Sequence, residues 1–183
     1  MVEYWSQFWD LWKIFPKILK KINLDEEWNI LKELTVSGKK KGCHINARST
    51  GVVTFVIKEI ADQMGFRLAT EALVEGTKKS KDFTFFRSDG KEIIHFEHEN
   101  LLSEIEKEFP KLEDSKSVLK IAITYSPKSN FKKNFEKWVP KIKNILKRIP
   151  EQQWLLIVGL GKGKWLPETD ESWIAYHAQN LKF

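Results

Sequence analysis

The sequence predicts an α/β protein with a mixed central sheet flanked by helices. Two patterns indicate this class: stretches with helical apolar periodicity alternate with short β-rich runs, and their order is helix, three strands, helix, strand, helix, strand. The chain has 183 residues and 42% apolar content, enough for one substantial core. We therefore expect one compact domain, in which residues 1–50 form an N-terminal helical extension packed on the core and residues 51–183 form the core with its C-terminal tail.

The N-terminal extension is rich in tryptophan. Its first segment carries aromatic residues at mostly helical spacing, namely Trp5, Phe8, Trp9 and Trp12. This spacing predicts an amphipathic helix that is broken or kinked near Pro16. Such a basic aromatic helix suits a packing arm, a homodimer contact or attachment to a membrane surface. A second short helix is predicted over 24–34, and a polar loop over 37–50.

The core begins with a predicted helix over 51–64, which Gly65 ends, and a strand over 66–75. A hairpin follows. Asn100 is the predicted N-cap of a helix that ends at Pro110. The remaining predicted elements are a strand over 118–125, a long helix over 131–149 and a buried strand over 154–160.

The hairpin is predicted because two β-rich arms flank Asp89-Gly90, a dipeptide suited to a two-residue type I′ turn. Counting outward from this turn predicts the register of the two strands. The pairs on one face are Ser88 with Lys91, Phe86 with Ile93, Thr84 with His95, and Asp82 with Glu97. The side chains of the other face are Phe83, Phe85, Ile94, Phe96 and His98.

Asp82 and Glu97 are the most informative pair in the chain. Like charges directly opposite one another on two strands are destabilising, so a fold that keeps them there needs compensation. A divalent cation is one compensator, and salt bridges to neighbouring lysines are the alternative. The sequence therefore leaves two interpretations open: a metal site, or a structural cluster of ion pairs at the end of the sheet.

The order of the elements and the acidic hairpin together resemble the PD-(D/E)xK nuclease superfamily, which has the restriction-endonuclease-like fold. In this sequence Ser80-Lys81-Asp82 stands in the place of the first family motif, and Glu97-His98-Glu99 stands in the place of the (D/E)-x-K triplet. The resemblance covers about residues 51–160. It implies a restriction-endonuclease-like core that carries extra N-terminal helices.

The resemblance also implies a set of site residues. The catalytic acids are expected to be Asp82, Glu97, Glu99 and, from the helix before the first strand, Glu59. The expected cofactor is Mg²⁺ or Mn²⁺, which carboxylate-rich sites of this kind bind through oxygen ligands. The expected metal ligands are Asp82, Glu97 and the backbone carbonyl of His98.

Two positions depart from the family pattern. The proline that precedes the first acid is replaced by Lys81, and the lysine of the triplet is replaced by Glu99. In the family that lysine is thought to orient or activate the attacking water, and Glu99 reverses its charge. Three outcomes are open: Glu99 acts as a general base or extra metal ligand, a nearby lysine such as Lys79 or Lys81 reaches in, or hydrolysis has been lost.

Zinc is disfavoured by the spacing of the two hairpin histidines. His95 and His98 are three residues apart on one strand, so they point to opposite faces and do not join one site. We expect His95 to assist the acids as a hydrogen-bond donor or general acid, and His98 to pack among aromatic side chains. The GLGKGK segment at 159–164 lacks the spacing of a phosphate-binding loop.

The net charge of +6 favours an anionic partner, namely nucleic acid and in particular DNA. The single cysteine excludes an internal disulfide framework and favours a cytoplasmic location. No apolar run approaches the roughly 20 residues of a membrane span, and we expect no transmembrane segment and no export signal.

The sequence thus predicts a cytoplasmic, divalent-metal-dependent nuclease that acts on DNA. Two alternatives remain open at this point. One is a nuclease-fold protein without catalysis that binds nucleic acid or another protein. The other is a structural protein that forms a homodimer through its Trp-rich N-terminal helix.

Overall fold

The computed structural model describes residues 4–13, 44–70, 81–99, 105–127, 153–161 and 173–177, together with 131–133, 135–137, 140–141 and 144. The elements are α1 (Tyr4–Trp12), α2 (His44–Gln63), β1 (Arg67–Thr70), β2 (Phe83–Phe86), β3 (Glu92–Glu99), a 3₁₀ turn (Ile105–Lys107), α3 (Phe109–Asp114), β4 (Leu119–Pro127), β5 (Gln153–Gly161) and β6 (Trp173–His177). The described residues between 131 and 144 are also helical.

The six strands form one sheet in chain order, from β1 to β6. Strand β2 is antiparallel to β1 and β3, whereas β3, β4 and β5 run parallel and β6 is antiparallel to β5. The predicted α/β class with a mixed sheet is therefore confirmed. Strand β6 lies in the tail, for which the sequence predicted no element. In the described part of the chain, no helix has the length and apolar character that crossing a membrane requires.

Helix α2 begins at His44, so the predicted polar loop is wrong from that residue onward. Once a helix has formed, each added residue contributes one more backbone hydrogen bond, which allows a polar segment to extend it. The predicted end of the helix is confirmed. Gly65 has a φ of 71°, and the N–H of Phe66 donates to the carbonyl of Ala61 at 2.9 Å, as in a glycine-terminated helix.

Pro110 opens a helix instead of ending one. It occupies the first turn of α3, where the missing N–H has no intrahelical partner to lose. The prediction of a helix that ends at Pro110 is therefore wrong. Four other predicted features lie outside the described residues: the break near Pro16, the helix over 24–34, residues 71–75 of the first strand, and the N-cap at Asn100.

The hairpin turn contains three residues, not two. The N–H of Gly90 donates to the carbonyl of Arg87, and the N–H of Arg87 donates to the carbonyl of Lys91, both at 2.9 Å. Gly90 has a φ of 81°, which fits a turn followed by a left-handed glycine. Asp89 Oδ1 accepts a hydrogen bond from the Lys91 amide at 3.0 Å and so stabilises the longer loop. The predicted type I′ turn and the pairing of Ser88 with Lys91 are wrong.

A bulge in β3 compensates for the longer turn. Phe86 pairs with Glu92, whereas Phe85 pairs with Ile94, so Ile93 is the extra residue. The predicted pairing of Phe86 with Ile93 is therefore wrong. Because of the bulge, Ile93 and Ile94 both join the apolar core next to Phe85.

Beyond the bulge the register is the one that the sequence predicted. Thr84 pairs with His95, which confirms the predicted pair, and Phe83 pairs with Phe96. The two errors cancel because the turn adds one residue to the connection and the bulge adds one residue to β3. The side chains near the end of β3 therefore lie on the predicted faces.

One face of the sheet, which we call the aromatic face, packs against α1 and α2. Phe8 and Trp12 of α1 are fully buried there. The other fully or almost fully buried residues of this cluster include Val53, Val56, Ile57, Ile60, Phe83, Phe85, Ile94, Phe96, Leu119, Ile121 and Ile123. Helix α1 is thus a part of the core.

The opposite face, which we call the polar face, is covered by the 3₁₀ turn, α3 and the helical segment around residue 135. Its apolar part consists of Ile105, Phe109, Leu112, Ala122, Phe135, Trp154, Leu156 and Val158. The rest of this face carries buried polar and charged side chains, among them Thr84, His95, Glu97 and Lys120, each 0% exposed. The candidate site lies among these polar residues.

Candidate functional site

Asp82 and Glu97 meet where β2 begins and β3 approaches its end. Asp82 precedes β2, and its Oδ2 accepts a hydrogen bond from the backbone N–H of His98 at 2.9 Å. A side-chain hydrogen bond joins the carboxyl groups of Asp82 and Glu97. The two acids that the sequence placed opposite one another are therefore in direct contact.

Glu97 is 0% exposed and has partners at both carboxyl oxygens. Oε1 lies 2.7 Å from Nε2 of His95, and Oε2 accepts a hydrogen bond from Nζ of Lys111 at 2.8 Å. Burial, followed by the charge of Asp82, raises the pKa of Glu97 to about 9. Burial also raises the pKa of the half-buried Asp82. Both shifts favour one proton shared by the pair at neutral pH.

Helix α3 adds an acid and a base that the sequence analysis missed. Glu108, the residue before the helix, does not cap it with its side chain. It forms an ion pair with Lys111 and a hydrogen bond with Glu97 instead. Burial lowers the pKa of Lys111, but hydrogen bonds to Glu108 and Glu97 outweigh it and the pKa lies above its usual value. We call Asp82, Glu97, Glu108 and Lys111 the acid site.

A weak sequence signal for this helix did exist. Pro110 favours the first turn of a helix, and a helix that starts there puts Glu108 and Lys111 three positions apart on one side. That signal predicts the ion pair between them. It does not predict that the pair meets Glu97, because that contact depends on how α3 packs on the sheet.

A second buried cluster lies toward the start of β3; we call Lys81, Glu92, Ser115 and Ser117 the Glu92 cluster. Glu92 accepts hydrogen bonds from Ser115 Oγ at 2.7 Å and from Ser117 Oγ, and it forms an ion pair with Lys81. Burial raises the pKa of Glu92, but these donors outweigh it and lower the pKa below its usual value. Lys81 is only 3% exposed and is held at Glu92.

Lys120 of β4 supports the C-terminal end of α3. Its Nζ donates hydrogen bonds to the carbonyls of Glu113 at 3.0 Å and Ser115 at 2.6 Å. The last carbonyls of a helix have no intrahelical donor, so a buried cation there satisfies them. Burial lowers the pKa of Lys120 to about 8. Lys120 therefore fixes the helix that carries Lys111 to the sheet.

Glu99 and Glu59 occupy different surroundings from the acid site. Glu99 ends β3 two positions after Glu97, is half-buried, and is in register with Thr124 of β4. Glu59 lies in α2, which packs on the aromatic face. Among the residues that the structure describes, no hydrogen bond or ion pair joins Glu59 to Asp82 or Glu97. Lys79, one of the lysines considered as a replacement, lies outside the described residues.

The two histidines point to opposite faces, as the spacing predicted. His95 contacts Glu97 on the polar face, whereas Nε2 of His98 lies 3.0 Å from the hydroxyl of Tyr125 on the other face. Burial lowers the pKa of His95 to about 2 and that of His98 to about 4. Both rings are therefore neutral at pH 7. The backbone N–H of His98 binds Asp82 and so links this residue to the acid site.

The donor atoms of the acid site suit a hard divalent cation. Glu97 contacts both Asp82 and Glu108, and carboxylate oxygens are the ligands that Mg²⁺ and Mn²⁺ prefer. Within the described ranges, no group of three or more His, Cys, Asp and Glu side chains is placed so that it could hold a metal ion as the side chains stand. Lys111 is the positive group beside Glu97. Asp82 and Glu97 are the residues that would hold a cation, with Glu108 as a third carboxyl group.

Comparisons with known protein families, with characterised proteins and with solved structures found no match for this chain. We therefore infer the function from the geometry of the acid site.

Proposed function

We propose that this protein is a divalent-metal-dependent nuclease that hydrolyses phosphodiester bonds in DNA, with the acid site as its reaction centre. The observation that carries the proposal is the contact between the carboxyl groups of Asp82 and Glu97, which Glu108 joins. Burying acids beside one another is unfavourable, and the raised pKa of Glu97 expresses this cost. Strongly perturbed carboxyl groups clustered at a partly exposed edge are a physical mark of functional sites.

In this proposal Asp82 and Glu97 hold Mg²⁺ or Mn²⁺. When bound, the cation would stabilise the negative charge that develops on the phosphate and would lower the pKa of a water molecule. Glu99 stays the proposed general base, at the end of the same strand. Glu108 replaces Glu59 as the proposed additional acid, because Glu108 contacts Glu97. Hydrolysis adds water across one P–O bond and yields a phosphate monoester and an alcohol.

The order of the elements supports a restriction-endonuclease-like core. Helix α2, strands β1 to β3, α3, β4, the helical segment at 131–144 and β5 follow the order of the nuclease superfamily. One acid precedes the second of these strands and another lies near the end of the third, as in the family motifs. The backbone carbonyl of His98, beside Glu97, stays in the proposal as a further metal ligand.

Exposed lysines of the helical segment on the polar face support an anionic substrate. Lys137 and Lys141 are exposed and form ion pairs with Glu106, which lies two residues before Glu108. Lys133, also exposed, lies one turn earlier in the helical segment. Because a spacing of four places these lysines on one side of a helix, we propose that they contact the DNA backbone. A cytoplasmic location is part of the proposal and is supported by the single cysteine.

Cleavage assays test the proposal directly. Supercoiled plasmid and labelled duplex and single-stranded oligonucleotides are incubated with the protein in Mg²⁺, Mn²⁺ or EDTA. We expect cleavage with either metal and none with EDTA. Asp82→Asn and Glu97→Gln should each slow cleavage on the order of 100-fold or more, the usual cost of removing a group that stabilises charge in the reaction.

Asp62→Asn is the matched control for these variants, because Asp62 is an exposed acid of α2. It should cleave at the wild-type rate. Glu108→Gln should slow cleavage more than Glu59→Gln if Glu108 is the additional acid. No cleavage of any substrate, or full activity in Asp82→Asn, would exclude hydrolysis at this site.

A nuclease-fold protein without catalysis, which binds nucleic acid or another protein, is the second candidate. It is favoured by Glu99 in the place of the lysine and by the contacts of both Glu97 oxygens with His95 and Lys111. Such a protein would bind DNA with an affinity that falls as salt rises, and it would release no product. Filter binding or fluorescence anisotropy, run beside the cleavage assay, separates the two candidates.

A homodimer through α1 is a further proposal about partners. Phe8 and Trp12 are fully buried within the chain, whereas Trp5 and Trp9 are half-buried and leave part of their rings at the surface. Sedimentation at several concentrations tests it. Association that is lost in the Trp5→Ala, Trp9→Ala double variant would support the dimer, and a monomer at every concentration would exclude it.

A further inference from the structure

We infer that Lys111 of α3 supplies the positive charge that the triplet lysine supplies in the related nucleases, and that Lys111 competes with a divalent cation for the carboxyl groups of Glu97 and Glu108. The inference deepens the proposed function and rests on it, because it assigns the cation to the same acid site. It concerns a residue of a different element from the one that carries the family lysine.

Lys111 contacts two carboxyl groups of the acid site. Its Nζ lies 2.8 Å from Oε2 of Glu97 and forms an ion pair with Glu108. The Lys111 side chain is 22% exposed, whereas Glu97 is 0% exposed. The ammonium group therefore bridges the buried acid and the partly exposed edge of the site, where a phosphate could reach it. Lys81, one of the two lysines that the sequence suggested for this role, is held at Glu92.

The charges of the acid site determine how a bound cation and Lys111 affect one another. The negative charges of Asp82 and Glu108 repel one another, and the positive charge of Lys111 offsets part of that repulsion. A divalent cation held by the same carboxyl groups would lie close to the ammonium group and repel it. Binding of the cation and the contact between Lys111 and Glu97 are therefore mutually unfavourable. By linkage, removal of the lysine charge must strengthen binding of the cation.

Helix α3 is anchored to the sheet at its C-terminal end and along its apolar side. Lys120 holds the C-terminal carbonyls of the helix to β4, and Phe109 and Leu112 bury its apolar side in the core. The helix backbone is thus fixed, and the long Lys111 side chain is the part that can move. Displacement of Lys111 from Glu97 requires a change of side-chain rotamer and no rearrangement of the fold.

A Mn²⁺ titration followed by thermal unfolding tests the competition after bound metal has been removed with EDTA. Lys111→Met keeps the aliphatic stem and removes the charge. The Mn²⁺ concentration at the midpoint of its titration should be about tenfold lower than for wild type, a size typical of coupling between two binding events. Lys116→Met, at an exposed lysine after α3, is the control and should titrate as wild type does.

Lys111→Arg keeps the charge and tests the competition if Lys111→Met does not fold. Its Mn²⁺ midpoint should equal or exceed that of wild type, and a midpoint well below it would overturn the competition. Asp82→Asn combined with Lys111→Met should lose the Mn²⁺ response. If the response persists, the ion binds elsewhere and the inference is overturned.

Cleavage assays on the same samples separate this inference from the proposed function. Tighter Mn²⁺ binding with slower cleavage in Lys111→Met supports both. Tighter Mn²⁺ binding without cleavage by any variant, including wild type, supports the competition and overturns hydrolysis. An unchanged Mn²⁺ midpoint in Lys111→Met, with normal cleavage by wild type, overturns the role of Lys111 alone. No Mn²⁺ response in any protein overturns the competition.

Discussion

Glu92 and Glu97 lie on the same strand and reach the same face of the sheet, yet their surroundings are opposite. Glu92 meets donors from Lys81, Ser115 and Ser117, and its pKa is lowered. Glu97 meets two other acids, and its pKa is raised to about 9. Burial favours the protonated form of both groups, but the donors around Glu92 outweigh it, whereas the charge of Asp82 adds to it at the more deeply buried Glu97.

The comparison distinguishes two uses of a buried carboxyl group. The Glu92 cluster is matched in charge and hydrogen bonds, and it fastens the hairpin to the segment between α3 and β4. The acid site contains more acidic than basic side chains, so its net charge reaches zero only when it binds protons or a cation. Surplus negative charge on one strand of an otherwise matched face is what distinguishes a candidate reaction centre from a structural ion pair.

Loss of a charge partner in the Glu92 cluster should have the largest effect on stability. Lys81→Met leaves the carboxylate of Glu92 without its cation, and removal of one partner from a largely buried ion pair costs about 3 kcal/mol. Urea unfolding of wild type, Lys81→Met, Glu92→Gln and the double variant measures the coupling between the two residues. A coupling near zero would show that the serines alone satisfy Glu92.

The pH dependence of stability should separate the two glutamates. Because the pKa of Glu97 is raised in the folded state, its stabilising contribution is fully present below the unfolded pKa of about 4.3 and is lost as pH rises through about 9. Glu92 has a lowered pKa, so its contribution is present above the unfolded pKa and is lost as pH falls. The two residues should therefore give opposite slopes.

Unfolding in urea with EDTA, repeated between pH 5 and pH 9, measures these slopes. Glu97→Gln mimics the protonated acid. Its free energy of unfolding should rise relative to that of wild type by roughly 2 kcal/mol from pH 5 to pH 9, the order of the cost of keeping a charge buried. Glu92→Gln is the control and should show no such gain. A constant difference between Glu97→Gln and wild type would mean that Glu97 is ionised throughout.

The turn that sets the register offers a smaller test. Gly90 has a φ of 81°, and a Cβ added there meets nothing within 4 Å. Gly90→Ala should therefore cost only the backbone strain of a left-handed residue, about 1 kcal/mol. Gly65→Ala, with a φ of 71° and equally open space, is the matched control for an α-helix end. Thermal unfolding of both variants checks the expectation, and a much larger loss at Gly90 would indicate disturbed strand pairing.

The smallest predicted effect concerns a buried hydroxyl beside the acid site. Thr84 is 0% exposed, and its Oγ1 has no hydrogen-bond partner among the described residues. Thr84→Val keeps the shape and removes the unsatisfied group, so it should stabilise the protein by up to about 1 kcal/mol. Thr124→Val on β4 is a matched variant of the same kind. A loss of stability at Thr84 would reveal a bound partner for the hydroxyl.

The sequence by itself determined the features that depend on local periodicity. Alternation along β3 placed Glu97 and His95 on one face and His98 on the other, and the order of helices and strands predicted the mixed sheet. It also contained a sign of the bulge, because Ile93 and Ile94 are adjacent apolar residues in an otherwise alternating strand. Backbone geometry imposes these patterns over a few residues, so a single chain suffices to recognise them.

Only the tertiary structure decided which charged groups share the acid site. Glu108 and Lys111 meet Glu97 because α3 packs its apolar residues Phe109 and Leu112 against the sheet, and nothing in the local spacing specifies that crossing. The ion pair between Lys81 and Glu92 is likewise not specified by local spacing. Long charged side chains reach several neighbours at similar distance, so their partners depend on the whole fold and not on their position in the sequence.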